Sequence, residues 1–138
     1  MKLFLDTSAF IARYHSGDYH HKEAVAFTEK IGSGAAGFTR LCTSDYIIDE
    51  TITTILARTR SIELAKKYGE AIISSKAIEK LWVDRESFTE SWDLFKKQRE
   101  TELSFTDSTT LLLMTKNEIF NIFTFDSHFK RLGLNVVP

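Results

Sequence analysis

The sequence predicts an α/β fold: a single domain with a mostly parallel central sheet flanked by helices. Short apolar runs alternate along the chain with amphipathic helical stretches, and no Pro/Gly/Ser-rich linker divides its 138 residues. The single proline is the last residue, Pro138. Strands separated by helices favour parallel pairing through right-handed crossovers. Because a chain of this length can bury one proper core, we expect one domain over residues 1–138.

Five apolar runs are the predicted strands, in chain order KLFLD (2–6), FTRLCTS (38–44), IEKLWVD (78–84), NIFTFD (121–126) and LNVVP (134–138). Apolar side chains at helical spacing predict helices between them. These helices cover 8–15, 20–31, 45–60, 61–75, 85–100, 104–119 and 128–133. GSGAAG (32–37) is typical of a helix exit before a strand. The helices 45–60 and 61–75 follow each other almost directly and predict a hairpin, with Ser44 or Asp45 as the cap of the first.

The charge balance excludes a globally basic nucleic-acid binder, although not a local basic patch. Eighteen Lys and Arg stand against nineteen Asp and Glu, a net charge of -1. The single cysteine, Cys42, excludes an intramolecular disulfide and is expected to pack as a small hydrophobe. This usage suits a reducing cytosol, so we expect a cytoplasmic protein. The N-terminal apolar stretch is too short for a membrane span and carries Asp6, so no membrane partner is expected.

Four acidic residues are the candidates for a functional site: Asp6, Glu50, Asp107 and Asp126. Asp6 and Asp126 end predicted strands, and ligand sites in parallel sheets gather at the carboxyl ends of strands. If the first and fourth strands are neighbours, both acids face one crevice, and Asp107 begins a helix that points into it. Clustered carboxylates repel one another unless a cation or a proton neutralises them. Oxygen ligands favour Mg²⁺ or Mn²⁺, whereas the four histidines and one cysteine lack the spacing of a zinc site.

Each acid also has a structural interpretation. Asp107 could be only a helix N-cap, Asp6 and Asp126 could be turn formers at strand ends, and Glu50 could be a solvated helix residue. The apolar stripe of the helix 45–60 consists of Ile48, Ile52, Ile55 and Leu56. That stripe lies nearly opposite Glu50 and closer to Asp49. Spacing alone therefore does not select Glu50.

Four segments carry a resemblance to a known family: FLDTSAFIA, SDYIIDETITTI, LSFTDSTTLLLM and IFTFDSHFKRLGLNVVP. Together, and in this order, they resemble the PIN-domain family, and more closely the VapC-type toxins of toxin–antitoxin pairs. The resemblance implies a metal-dependent ribonuclease fold that acts on single-stranded or structured RNA. It places the family's acidic quartet on Asp6, Glu50, Asp107 and Asp126. It selects Glu50 over Asp49 because the family's acid directly precedes the segment TITTI, and Asp49 remains a possible reserve ligand.

Hydroxyl groups beside the acids also resemble the family's pattern: Thr7, Ser8, Thr106 and Ser108. They would orient carboxylates or metal-bound water. The alternative is that Thr7, Ser8 and Ser108 only satisfy helix starts.

Histidines, aromatic residues and basic residues carry weaker signals. His128 could touch a phosphate or a base, but a local structural role is the simpler interpretation, and His20 and His21 are expected at the surface. Of eleven phenylalanines, those at core spacing are read as core rather than as base-stacking platforms: Phe4, Phe27, Phe95 and Phe123. The basic residues are dispersed, with solvated faces as the default: Arg13, Arg40, Arg58, Arg60, Lys96, Lys97, Lys130 and Arg131.

The leading hypothesis is a divalent-metal-dependent endoribonuclease that hydrolyses RNA phosphodiesters, as the toxin of a type II toxin–antitoxin pair. The resemblance implies a homodimer and an antitoxin protein whose peptide blocks the site, with the hairpin 44–75 expected to contribute contacts. One alternative is a phosphoryl-transfer domain with Asp6 as the nucleophile. It is disfavoured because the first motif is DTS rather than a DxD pair, and the expected lysine after a strand is not evident. The other is an RNA-binding or scaffold module without turnover.

Overall fold

Five short strands form one parallel sheet in the computed structural model, which describes residues 1–99 and 103–138. The strands are β1 (Lys2–Leu5), β2 (Arg40–Ser44), β3 (Ile78–Leu81), β4 (Asn121–Phe123) and β5 (Asn135–Val137). Their order across the sheet is β3-β2-β1-β4-β5, and every pair is parallel. The predicted α/β class is confirmed. The assumption that the first and fourth strands are neighbours is also confirmed, because β1 pairs with β4.

Helices connect the strands at nearly all the predicted places. They are α1 (Thr7–Tyr14), α2 (His21–Gly32), α3 (Asp45–Thr59), α4 (Ile62–Ser74), α5 (Arg85–Lys96), α6 (Phe105–Lys116) and a 3-10 helix (Ser127–Leu132). The predicted strands 78–84 and 121–126 are shorter in the structure, since Asp84 caps α5 and Asp126 caps the 3-10 helix. The predicted end of the helix 85–100 falls partly on residues outside those described. No helix in the described residues is long and apolar enough to cross a membrane.

The core lies around the central strands. Leu3, Phe4 and Ile122 have no exposed surface, and Phe123 is almost as deeply buried. Half-buried Phe27 packs edge-on against Phe123, with ring centroids 4.9 Å apart. These contacts bear out the core interpretation of the three phenylalanines. Cys42 is buried among them as expected, and burial raises the pKa of its thiol.

A second aromatic group lies between α5 and α6. Phe105, the first residue of α6, makes edge-on contacts with Phe88, Trp92 and Phe95. Phe95 is half-buried as part of this group and does not belong to the main core cluster. Phe88 and Trp92 are partly exposed on the outer side of α5.

The hairpin of α3 and α4 is confirmed, but the apolar stripe of α3 differs from the prediction. The buried residues of α3 are Ile47, Thr51 and Ile55, whereas Leu56 is 40% exposed. The true stripe is offset because Thr51 takes a core position that its polarity conceals. Ser44 is the N-cap, accepting a hydrogen bond from the amide of Ile47 at 3.1 Å.

Gly69 lies where α4 packs closely against Ile52 of α3. A Cβ atom at this position would lie 2.9 Å from Cδ1 of Ile52, closer than real side chains approach. The packing of this pair fixes how α3 is rotated about its axis. That rotation decides which acidic side chain of α3 faces the carboxyl edge of the sheet.

Candidate active-site cleft

Asp6 stands at the end of β1, where the chain turns into α1. Its amide donates to the carbonyl of Phe123 at 3.1 Å, which continues the pairing with β4 for one more residue. Its own carbonyl accepts the first helical hydrogen bonds, from the amides of Ala9 and Phe10. The side chain does not cap the helix. Asp6 is therefore more than a turn former, because its carboxylate is buried and lines a cleft at the carboxyl edge of the sheet.

Two hydroxyl groups hold the carboxylate of Asp6. Oδ2 lies 2.7 Å from Oγ1 of Thr124 and 3.1 Å from Oγ of Ser8, and the two hydroxyl oxygens are 2.9 Å apart. Each hydroxyl has one proton, so the shorter contact is best made by Thr124 as donor to the carboxylate. Ser8 then donates to Asp6 or to Thr124. The interpretation of Ser8 as a residue that orients a carboxylate agrees with these contacts.

The same hydroxyls fix the loop that carries Asp126. The amide of Phe125 donates to Oγ of Ser8 at 2.9 Å, and the amide of Asp126 donates to Oγ1 of Thr124 at 3.0 Å. Asp6 and Asp126 are thus positioned by one network across the ends of β1 and β4. Sequence reasoning missed Thr124. The available signal was its place directly after β4, in the segment TFD that also holds Asp126.

Asp126 also has a local structural role, as the turn-former interpretation expected. Its Oδ1 accepts the amide of His128 at 3.0 Å and lies 3.0 Å from Nδ1 of the same histidine. His128 therefore has the local structural role that was its simpler interpretation. The carboxylate of Asp126 nevertheless lines the cleft.

Asp107 is not the N-cap of α6, which corrects one of its two interpretations. Ser104 is the N-cap, and Asp107 is the third residue of a capping box. The amide of Asp107 donates to Oγ of Ser104, and the amide of Ser104 donates to Oδ2 of Asp107, both at 3.0 Å. The first turn of a helix favours a negative charge. The box fixes the carboxylate at the cleft wall.

The remaining hydroxyl candidates differ from one another. Ser108 is fully buried and donates to the carbonyl of Ser104, so it serves the start of the helix. Thr106 contributes its carbonyl, which accepts the hydroxyl of Thr109. Thr7 lines the cleft, and its buried Oγ1 has no hydrogen-bond partner among the described residues.

Glu50 reaches the cleft from α3, together with Thr54 and Arg58 one and two turns later. With about 100° between successive helix residues, Glu50 lies at the border of the observed Ile47–Thr51–Ile55 stripe. Asp49 lies on the opposite side, is exposed, and accepts a long contact from Thr53 at 3.5 Å. The structure brings Glu50 to the other acids and leaves Asp49 in solvent. Ile48, Ile52 and Ile55 of the predicted stripe do pack in or against the core, but the stripe missed Ile47 and Thr51 and included exposed Leu56, so periodicity pointed away from Glu50.

All four predicted acids line this one cleft, whose volume is about 220 Å³. A fifth acid, Asp18, lies there too, and its Oδ2 is 3.4 Å from Nη1 of Arg58. Sequence reasoning missed Asp18, which sits in the turn between α1 and α2 where no periodicity points to it. Arg58 had been placed only among the dispersed basic residues.

His20 and His21 are not simple surface residues, contrary to expectation. Nδ1 of His21 lies 2.7 Å from the carbonyl of Ala12, and the ring of His20 stacks on Phe125 with centroids 4.3 Å apart. Both histidines are partly buried because α2 packs on α1 beside the loop after β4. His20 thus packs against the loop that carries Asp126, whereas His21 ties the start of α2 to α1.

Burial and mutual repulsion raise the pKa values of two acids in the cleft. Burial is the main cause that raises the pKa of Asp6 from 3.8 to about 6, and the charge of Asp107 adds to it. Hydrogen bonds from Thr124, from the amide of Thr7 and from Ser8 act in the opposite direction. Burial also raises the pKa of Asp107, helped by the charge of Asp126 and opposed by the bonds with Ser104. The charge of Asp107 therefore acts on Asp6, and the charge of Asp126 acts on Asp107.

The donor types of the cleft fit a hard divalent cation. Five carboxylate side chains line the cleft together with Thr7, Ser8 and Thr54, and neither sulfur nor imidazole nitrogen lines it within the described part of the chain. Oxygen ligands of this kind suit Mg²⁺ and Mn²⁺. In residues 1–99 and 103–138, no three acidic, histidine or cysteine side chains already stand in a metal-holding arrangement. The cleft is therefore an open set of oxygen donors rather than a closed cage.

The protein has a parallel sheet, and its acids gather at the carboxyl edge of that sheet. It therefore belongs to the class of α/β domains whose site lies at the strand ends. The chain belongs to the PIN domain family, which matches residues 3–134. Among curated proteins it is similar to VapC20 of Mycobacterium tuberculosis, described as a 23S rRNA-specific endonuclease. The two are 28% identical over 131 residues, which cover 95% of this chain and 94% of VapC20.

Solved structures show the same likeness. The crystal structure of VapC20 from Mycobacterium tuberculosis, described as a sarcin–ricin loop cleaving toxin, superposes with a TM-score of 0.84 at 25% identity. It covers 96% of this chain and 95% of that one. VapBC2 from Rickettsia felis, solved with a fragment of promoter DNA, superposes with a TM-score of 0.70 at 13% identity, covering 99% of this chain and 98% of that one. The second likeness concerns the fold alone.

Proposed function

We propose that this protein is a divalent-metal-dependent endoribonuclease and the toxin of a toxin–antitoxin pair. The observation that carries the proposal is the meeting of Asp6, Glu50, Asp107 and Asp126 in one cleft, although they come from four separate segments. Membership of the PIN family supports it, as does the similarity to a 23S rRNA-specific endonuclease along almost the whole chain.

The proposed roles follow from how each acid is held. Asp6, Asp107 and Asp126 are the proposed ligands of Mg²⁺ or Mn²⁺. The bound ion would neutralise the acids and polarise water and phosphate for hydrolysis. Thr124 and Ser8 keep the carboxylate of Asp6 in one orientation, so little reorganisation is needed when RNA binds.

Glu50 is proposed to hold the attacking water, or a second ion that carries it. Hydrolysis forms one bond from the water oxygen to phosphorus and breaks one P–O bond of the backbone. The water proton must leave as this happens, and we assign Glu50, whose side chain lines the cleft, to accept it, while the departing oxygen takes up a proton from solvent.

The substrate class is proposed to be structured RNA. The sarcin–ricin loop, which the name of the VapC20 structure gives as its target, is the first RNA to test. We also propose that the protein acts in the cytoplasm, that it forms a homodimer to which the α3–α4 hairpin contributes contacts, and that an antitoxin protein blocks the cleft. These three proposals rest on the resemblance to VapC-type toxins.

The test is cleavage of a sarcin–ricin loop oligonucleotide and of ribosomal RNA in Mg²⁺, in Mn²⁺ and in EDTA. Asp6→Asn should lower the rate by about 100-fold or more, because it removes a proposed metal ligand, and losing even an outer partner of a metal site costs 10–100-fold. Asp49→Asn is the matched control, since it makes the same change on the exposed side of α3. Full activity of Asp6→Asn, or of the protein in EDTA, would rule out this mechanism.

The same assay separates the alternatives. RNA binding in Mg²⁺ without cleavage of any tested RNA would favour a binding module. Covalent labelling of Asp6 by a phosphoryl mimic would favour phosphoryl transfer.

A further inference from the structure

One cationic side chain lies among the acids of the cleft. Of the described side chains that line it, Arg58 alone is positive, whereas five are carboxylates. Arg58 is two turns after Glu50 on α3, so the two side chains emerge from the same side of the helix. Arg58 therefore lines the same cleft as Glu50 and the other acids.

The ion pair of Arg58 and Asp18 joins an exposed arginine to an aspartate that other hydrogen bonds hold in place. Nη1 of Arg58 lies 3.4 Å from Oδ2 of Asp18, and the arginine side chain is 54% exposed. An exposed pair of this length contributes only about 0–1 kcal/mol. Asp18 is only 17% exposed, its Oδ1 accepts the amide of His20 at 2.9 Å, and its carbonyl accepts the amide of His21. Asp18 is thus the fixed partner and Arg58 the one that can change partners at little cost.

We propose that Arg58 binds a phosphate of the RNA, exchanging its contact with Asp18 for non-bridging phosphate oxygens. This inference rests on the proposed ribonuclease function. An RNA backbone brings further negative charge into a cleft already lined by carboxylates, and a guanidinium offers paired N–H donors that match phosphate oxygens. Asp18 keeps the guanidinium at the cleft wall until RNA arrives. Arg58 is then a substrate-binding residue on the wall of the cleft that α3 forms.

The test measures RNA binding separately from cleavage. Labelled sarcin–ricin loop RNA is titrated in Mg²⁺ at several KCl concentrations with Asp6→Asn protein, alone and combined with Arg58→Met or Arg58→Lys. Arg60→Met is the matched control, because Arg60 is exposed at the end of the same helix and does not line the cleft. Methionine keeps the length of the side chain and removes only the charged group.

Loss of one phosphate contact has a specific signature. Arg58→Met should raise Kd about tenfold and reduce the slope of log K against log salt by about 0.7–0.9. Arg58→Lys should keep the slope with a smaller rise in Kd, since it keeps the charge and loses the paired donors. In the cleaving protein, Arg58→Met should raise KM about tenfold, whereas Arg60→Met should change neither Kd, nor slope, nor KM.

Two outcomes would overturn the assignment. If Arg58→Met matches Arg60→Met in Kd and salt slope, then Arg58 does not contact RNA, as expected if it served an acidic segment of a protein partner instead. A higher Kd with an unchanged slope would mean that Arg58 acts only by shaping the cleft. Failure of the ribonuclease proposal gives a result distinct from both of these outcomes. The protein with Asp6 intact would then not cleave RNA, whereas Arg58→Met could still weaken RNA binding.

Discussion

Replacing Asp6 by asparagine should abolish cleavage and yet stabilise the metal-free protein near neutral pH. The carboxylate is almost fully buried, and its pKa is raised to about 6, first by burial and then by the charge of Asp107. A residue kept for stability alone would not be held in a state that disfavours its charge. Asp6→Asn therefore lowers activity and raises stability only if Asp6 is kept for its role in the site.

The size of the effect follows from the pKa shift. The folded pKa of about 6 lies above the unfolded value near 3.8, so the proton-bound form stabilises the fold below pH 4. This contribution is lost as pH rises through 6, and with about 1.4 kcal/mol per pKa unit it is on the order of 2–3 kcal/mol. Asparagine remains neutral at every pH and keeps an oxygen for the hydroxyls of Ser8 and Thr124. Its side-chain NH₂ group cannot accept the hydrogen bond that the carboxylate receives from the backbone N–H of Thr7. Losing this hydrogen bond costs about 1 kcal/mol.

The expected net gain at pH 7.5 is on the order of 1–2 kcal/mol, or roughly 4–8 °C in Tm for a domain of this size. Thermal and urea unfolding in EDTA, from pH 4 to pH 8, measure it. The stability of the original protein should fall between pH 4 and pH 7 more steeply than that of Asp6→Asn. Asp49→Asn removes the same charge from an exposed position and should keep the pH dependence of the original protein. Loss of stability by Asp6→Asn at pH 7.5, or an unchanged pH slope, would refute this reasoning.

Two more variants test neighbouring parts of the cleft. Glu50→Gln should lower the rate of RNA cleavage about 100-fold with little effect on Tm. Asp49→Gln should leave both the rate and Tm nearly unchanged. Equal effects of the two variants in a cleavage assay would reject the choice of Glu50. Thr124→Val should lower the free energy of unfolding in urea by about 1–3 kcal/mol, because it removes the hydroxyl that bonds to Asp6 and Asp126. It should also raise the pKa of Asp6 further, which a ¹³C carboxyl titration would measure. Thr124→Ser keeps the hydroxyl and is the control; if it loses as much stability as valine, the hydroxyl network is not the cause.

The part of the site that the sequence could predict is the part fixed by strand order. Asp6 and Asp126 each follow an apolar run, and parallel strands bring their carboxyl ends to one edge. The pairing of β1 with β4 is what makes them neighbours. Neither inference needs side-chain detail, because alternation of strands and helices determines it.

The part that could not be predicted depends on polar residues in apolar positions. Thr51 occupies the buried stripe of α3, so the buried face differs from the one that the apolar residues alone predict, and Glu50 rather than Asp49 borders it. Only the family resemblance selected Glu50, the acid of α3 that lines the cleft. Asp18 and Thr124 lie in connecting segments, where no repeating pattern marks a residue, and their importance comes from contacts with distant parts of the chain.

The four acids differ in how the fold holds them. This difference explains which of them the sequence pattern could predict to lie at the cleft. Asp107 and Asp126 close capping interactions at the starts of helices, and Asp6 is tied to two hydroxyls at the end of β1. These ties lower the cost of holding three mutually repelling carboxylates before any cation binds, and they also gave each residue a plausible structural interpretation. Glu50 is positioned instead by the rotation of α3, which Gly69 permits by letting α4 approach Ile52. A Cβ atom at position 69 would crowd the side chain of Ile52, so the contact between the two helices of the hairpin bears on where α3 presents Glu50 to the cleft.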